Sequence, residues 1–298
     1  MWGIFRGISR IGDELLQVHL GDLVEGLPPE ELEHWIGFNV DAPSLEEIKE
    51  TRKVKPLQHL LNELKEMKEH AKDTFLGMCF RCGMDREFLR DNPIYRDGEN
   101  EDDYLKILKK TLTPRDTNEI FLTRILELNK WLADSLNITV LRACIDHFDP
   151  NEKFDASGKP LRSIRLFQKS LIFLFIFRKL AEIKQIPQHE LINETKIYYN
   201  LIRQRPHEKS NFILDDLNKE CETLNQKFEI MLMINEIRST YVHETNKTKI
   251  QAILRKLGFS LDGTNYLDVY RTIIGELRDL FTFIYVSSES FARAYEYR

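Results

Sequence analysis

Arg238 and His243 stand five positions apart in the run Asn235-Glu236-Ile237-Arg238-Ser239-Thr240-Tyr241-Val242-His243-Glu244. A histidine with an ordinary pKa of about 6.5 can take up and return a proton near neutrality. A guanidinium stays charged, and its planar fork contacts two phosphate oxygens at once. Cutting RNA without a metal needs a base for the ribose 2′-hydroxyl, an acid for the leaving 5′-oxygen and positive charge on the phosphate as it becomes pentacoordinate. His243 suits the proton transfer and Arg238 the phosphate.

Spacing alone does not single out this pair, because Arg142-Ala143-Cys144-Ile145-Asp146-His147 repeats it. Context separates the two. Leu214, Leu217, Cys221, Leu224, Phe228 and Met231 alternate by three and four residues, the apolar stripe of an amphipathic helix. Extending the stripe brings Asn235 and Arg238 into or beside positions where an aliphatic residue is expected, and a guanidinium near a packing face is costly unless it is paired or held for a purpose. Arg142 instead lies on a short helix, four residues before Asp146, the spacing of an ordinary ion pair. That second match reads as structural.

Five residues along a regular helix turn by about 140°. The Arg and His converge only if the helix ends or bends between them, or if both border a cleft shared with another subunit. Thr245-Asn246-Lys247 favour an ending, with Asn246 able to cap a new helix over about 247–257.

The motif, near the end of the longest helical pattern, resembles the Arg-x4-His pair of HEPN-superfamily ribonucleases, and the resemblance covers roughly residues 160–298. It implies a helical bundle that forms a homodimer, with Arg238 and His243 of both copies facing one groove. It also implies a metal-independent endoribonuclease that leaves 2′,3′-cyclic phosphates and needs no cofactor. Proteins of this kind commonly serve as toxins or as effectors of antiviral defence, including abortive infection, so an antitoxin or an activating partner is also implied. Catalytic members usually carry Asn, Asp or His after the Arg. Here that position is Ser239, which can still hydrogen-bond a phosphate or orient Arg238. Tyr241 and Asn235 are supporting candidates, and packing explains Tyr241 equally well.

An RNA groove requires cations near the motif. Lys247 and Lys249 follow it directly, as do Arg255 and Lys256, and Arg203 and Arg205 belong to the densest basic segment elsewhere. Taken singly, each also reads as a basic helix end complementing the dipole. Two other readings stay open: a non-catalytic HEPN domain serving dimerisation, nucleotide binding or partner binding, and a single-chain site that uses both Arg-x4-His elements.

A chain of 298 residues, 42% hydrophobic and 31% charged with few Gly and Pro, fits a helix-rich protein with a substantial core. The formal charge of −5 argues against nonspecific coating of nucleic acid, though not against a local basic groove. Four Cys without regular spacing suggest reduced thiols and a cytoplasmic protein. Cys79-x2-Cys82 lacks a second ligand pair, so no metal site is expected. The start of the chain does not read as a signal peptide, and the most apolar run, 171–177, is too short to span a bilayer and reads as a core helix.

The fold class expected is all-α, with a helical region over 1–155 of unknown role and a HEPN-like bundle over 160–298, divided at the loop 149–160. Helices are expected at 56–80, from Thr113-Pro114 through Leu132, from Asn137 to Phe148, and at about 161–185, 188–204, 209–243, 247–257 and 264–295. Further starts are expected at Pro28-Pro29 and at Ser44, with a short helix around Asp13–Val18. Lys65, Lys68, Glu63 and Glu66 read as a solvated face, and 91–103 as an acidic loop.

Overall fold

The computed structural model describes residues 9–11, 15–17, 57–96, 118–204, 212–243, 247–256, 259 and 266–293. The expected helix starts at Pro28, Ser44 and Thr113 and most of the acidic loop lie outside the described residues. Where a helix was expected around Asp13–Val18, β1 (Ser9–Ile11) instead pairs antiparallel with β2 (Leu15–Gln17), Arg10 opposite Leu16. Gly12 and Asp13, residue types that favour turns, stand between the two strands in sequence.

The remaining elements are helices: α1 (Leu57–Arg81), α2 (Arg86–Asp91), α3 (Asn118–Asn129), α4 (Ile138–Phe148), α5 (Ser163–Ile183), α6 (Gln188–Gln204), α7 (Phe212–His243), α8 (Lys247–Lys256) and α9 (Tyr266–Arg293). Their caps follow the local sequence. Asn137 accepts the Thr139 amide at the start of α4, and Asp85 accepts the Phe88 amide at the start of α2, which was not expected. Gly83, at φ 86°, ends α1: its amide donates to the Phe80 carbonyl and that of Met84 to the Cys79 carbonyl, the two-bond closure that needs a left-handed residue.

Helix α5 is the hub. Its buried residues, including Phe167, Leu171, Phe173, Leu174, Phe175, Ile176, Phe177 and Leu180, fall on every face, and α1, α4, α6, α7 and α9 pack around it. Over 173–178 this helix has no solvated side and sits in the interior, while Arg165, Glu182 and Ile183 are exposed toward its ends. Each of its aromatic side chains contributes roughly 1.5–3 kcal/mol by leaving water. The core is continuous from Leu57 to Phe291, so helices from both sides of the 149–160 loop share it.

Helices α1 and α9 run parallel with a constant offset: Glu63 meets Arg278, His70 stacks on Tyr285, and Gly77 meets Ala292. The contacts recur every seven residues, as in a parallel coiled-coil pair. Leu57, Leu61, Leu64, Lys68, Ala71, Phe75 and Met78 are buried along α1 in alternating steps of four and three, and Cys82 continues the stripe just past its end. Lys68 therefore belongs to this buried stripe and not to a solvated face. It is 3% exposed, with its ammonium 4.4 Å from the Tyr95 ring centre and 4.5 Å from that of Trp131. Glu63 is likewise engaged, by Arg278 and His59.

Candidate functional site

The motif sits on α7, which remains helical through His243. The expected break between Arg238 and His243 is absent, so the two residues leave one continuous helix about 140° apart. Of His243 and Lys247 only the backbone is described. The apolar stripe also takes a different path from the one expected. After Met231 it runs through Ile234, Ile237 and Thr240, all buried, so Asn235 and Arg238 border the packing face instead of entering it. Three successive steps of three residues turn the stripe backwards around the helix, because three residues fall short of a full turn.

Arg238 reaches the surface beside the π turn Lys130–Asp134 that continues α3. There its Nη1 donates to Asp134 Oδ1 at 2.8 Å, and the two side chains are 36% and 42% exposed. Among the described residues this is the bond that accounts for the guanidinium. The π turn makes it available: Trp131, Leu132 and Ala133 are buried in succession, and Asp134 emerges next. A wider turn rotates less per residue than an α-helix, so more consecutive residues face the core. Ser135 Oγ locks the turn by donating to the Trp131 carbonyl at 2.6 Å. Among the described residues, Asn129, just before it, is 1% exposed with neither amide atom hydrogen-bonded, and the hydroxyl of buried Thr240, two residues past Arg238, also lacks a partner.

Ser239 is exposed, Asn235 is half-buried, and Tyr241 packs half-buried against the core. Lys249, Arg255 and Lys256 are exposed on α8, which packs on α7. Arg205 lies outside the described residues. Arg203 is fixed elsewhere: its Nη1 donates to Glu152 Oε1 at 2.6 Å. Glu152 Oε2 accepts from Lys169 Nζ at 2.5 Å and from the Tyr199 hydroxyl at 3.0 Å, while Lys196 pairs with Asp149 at 3.2 Å. Burial and the Glu152 charge push the Tyr199 phenol well above its usual range. This cluster ties the 149–160 loop to α5 and α6. Asp155 secures the rest of the loop by accepting the Ser157 hydroxyl and the amides of Lys159 and Ser157, hydrogen bonds that lower its pKa.

The second Arg-x4-His element has a structural occupation. His147 Nε2 donates to the Cys82 carbonyl at 2.8 Å, at the end of α1. Arg142 is exposed, and Asp146 pairs not with Arg142 but with Lys153, at 2.6 Å. The four cysteines are free and buried. Cys79 and Cys82 are fully interior, and burial raises both thiols, with further contributions from Cys144. Among the described residues, no three His, Cys, Asp or Glu side chains are grouped to hold a metal ion, and no helix is long and apolar enough to cross a membrane.

Asp134 is the site residue that the sequence reading missed. It lies 104 positions from its partner, and nothing in Lys130-Trp131-Leu132-Ala133-Asp134 marks it beyond its being a carboxylate. Comparison with known proteins returns nothing to set beside this geometry: no family model, no curated protein and no solved structure matches the chain.

Proposed function

We propose that the protein is a metal-independent endoribonuclease of the HEPN kind, cutting RNA by attack of the 2′-hydroxyl to leave a 2′,3′-cyclic phosphate. In this reading it acts in the cytoplasm as a homodimer and serves as a toxin or antiviral-defence effector under the control of an antitoxin or activator. Arg238 binds the scissile phosphate and steadies its developing charge, and His243 transfers the proton. Ser239 orients the phosphate or the guanidinium, and Lys247, Lys249, Arg203 and Arg205 supply cations for the RNA backbone.

The observation that carries the reading is the placement of Arg238, at the surface of an all-helical bundle on the helix that ends at His243. The competing element, with His147 spent on the end of α1, leaves one motif per chain. A continuous helix separates Arg238 and His243 angularly, so this chemistry calls for a second copy whose motif completes the groove.

The alternative is a HEPN-like bundle that binds without cutting. What favours it is the Asp134 ion pair, which gives Arg238 a structural partner, together with Ser239 in place of Asn, Asp or His. The deciding experiment is incubation of mixed RNA with the protein, Arg238→Ala and His243→Ala in EDTA, with the product ends identified. Cyclic phosphate ends made by the parent and lost in both variants support the nuclease. A folded, dimeric parent that cuts nothing favours the binding module.

A further inference from the structure

Arg238 holds Asp134 through Nη1, one of the terminal nitrogens with which a guanidinium fork grips a phosphate. We propose that Asp134 competes with RNA phosphate for Arg238, so that binding exchanges a carboxylate oxygen for phosphate oxygens and the neighbouring negative charge sets a ceiling on RNA affinity. This rests on the reading of Arg238 as the phosphate contact.

Three observations lead to it. Carboxylate and phosphate oxygens are equivalent ligands for a guanidinium, and an N–H already donating at 2.8 Å must release one to take the other. Both side chains are more than a third exposed, so water is at hand to solvate the carboxylate as it leaves, and exposed pairs of this kind contribute little net free energy. The backbone of Asp134 cannot retreat: Trp131, Leu132 and Ala133 are buried, and Ser135 Oγ is bonded back to Trp131. After the exchange the carboxylate therefore stays near the bound phosphate and repels it. Removing that charge while keeping the shape strengthens phosphate binding.

The test uses a 2′-O-methyl oligoribonucleotide, which cannot be cut because the attacking hydroxyl is methylated. Its binding to the full-length protein, Asp134→Asn, Arg238→Ala and the double variant is followed by fluorescence anisotropy. The expected result is binding tightened by about two- to five-fold in Asp134→Asn, the size of an exposed ion pair's effect. The tightening is expected to disappear when Arg238 is also replaced. If Arg238→Ala weakens binding while Asp134→Asn leaves it unchanged or weakens it, the competition is overturned and the phosphate role of Arg238 stands. Equal tightening in both backgrounds also overturns it, since the effect is then general charge. If Arg238→Ala binds as the parent does, or no protein binds, the underlying reading of Arg238 falls and the competition falls with it.

Discussion

His147 Nε2 lies 2.8 Å from the carbonyl oxygen of Cys82, so a side chain on α4 closes the end of α1. The last carbonyls of a helix have no partner within it. Here Gly83 and Met84 supply two backbone donors, Gln188 supplies a third to the Arg81 carbonyl, and His147 a fourth. Leaving a half-buried carbonyl without its donor costs about 1–3 kcal/mol. His147→Ala should lower the unfolding free energy in urea by that amount and leave the proposed RNA cleavage unchanged. Retained stability with lost cleavage would return this histidine to the list of catalytic candidates.

A methyl group on Gly77 would stand 2.8 Å from Cβ of Ala292, closer than two carbons tolerate. The parallel pairing of α1 and α9 depends on this approach. Alanine gains roughly 1 kcal/mol of helix propensity over glycine, and forcing the helices apart costs about 1–3 kcal/mol. Gly77→Val adds the bulk without alanine's propensity gain, so it should destabilise clearly more than Gly77→Ala. The thermal midpoints of the two variants check this, and a valine variant as stable as the parent would contradict the close contact.

These two contacts mark where the sequence was legible and where it was not. The periodicity of Leu57, Leu61 and Leu64, the cap at Asn137 and the apolar run 171–177 are local signals, and the helices they announce are present. Lys68 was in phase with Leu64 and Ala71 all along, but its charge argued for solvent. Tyr95 and Trp131, brought from distant segments, help make the buried position tolerable. The path of α7 through Ile234 and Ile237 was equally available, since both are aliphatic; following strict alternation past Met231 missed it. The π turn and the Asp134 contact are tertiary outcomes, with no local spacing to betray them.

Glu152 gathers three donors, Lys169, Tyr199 and Arg203, around one buried carboxylate. Removing one partner of a buried ion pair typically costs about 3–5 kcal/mol. Arg203 is largely exposed and loses less than a buried cation would, so Glu152→Ala should fall near the lower end of that range. Arg203→Ala should cost far less, because water already covers much of its side chain. Denaturant curves for the two variants give the comparison, and equal losses would mean that Arg203 and not Glu152 organises the cluster.

Arg178 joins three helices by donating through Nη2 to Glu220 on α7 and through Nη1 to the Ser287 carbonyl on α9. Burial raises the Glu220 pKa above its ordinary 4.5, and the attraction of Arg178 offsets this only in part. A carboxyl whose folded pKa exceeds its unfolded one binds the proton more tightly in the folded state. Its contribution to stability is therefore full below pH of about 4.5 and is lost as pH rises through the folded value. Glutamine keeps an oxygen for Arg178 to donate to and cannot ionise. The stability of the parent relative to Glu220→Gln should thus decline as pH is raised from about 4.5. The comparison cancels the titration of groups common to both proteins, so urea unfolding of the pair across pH isolates this carboxyl. A difference that stays flat, or one that grows in favour of the parent, would mean that Arg178 outweighs burial at Glu220.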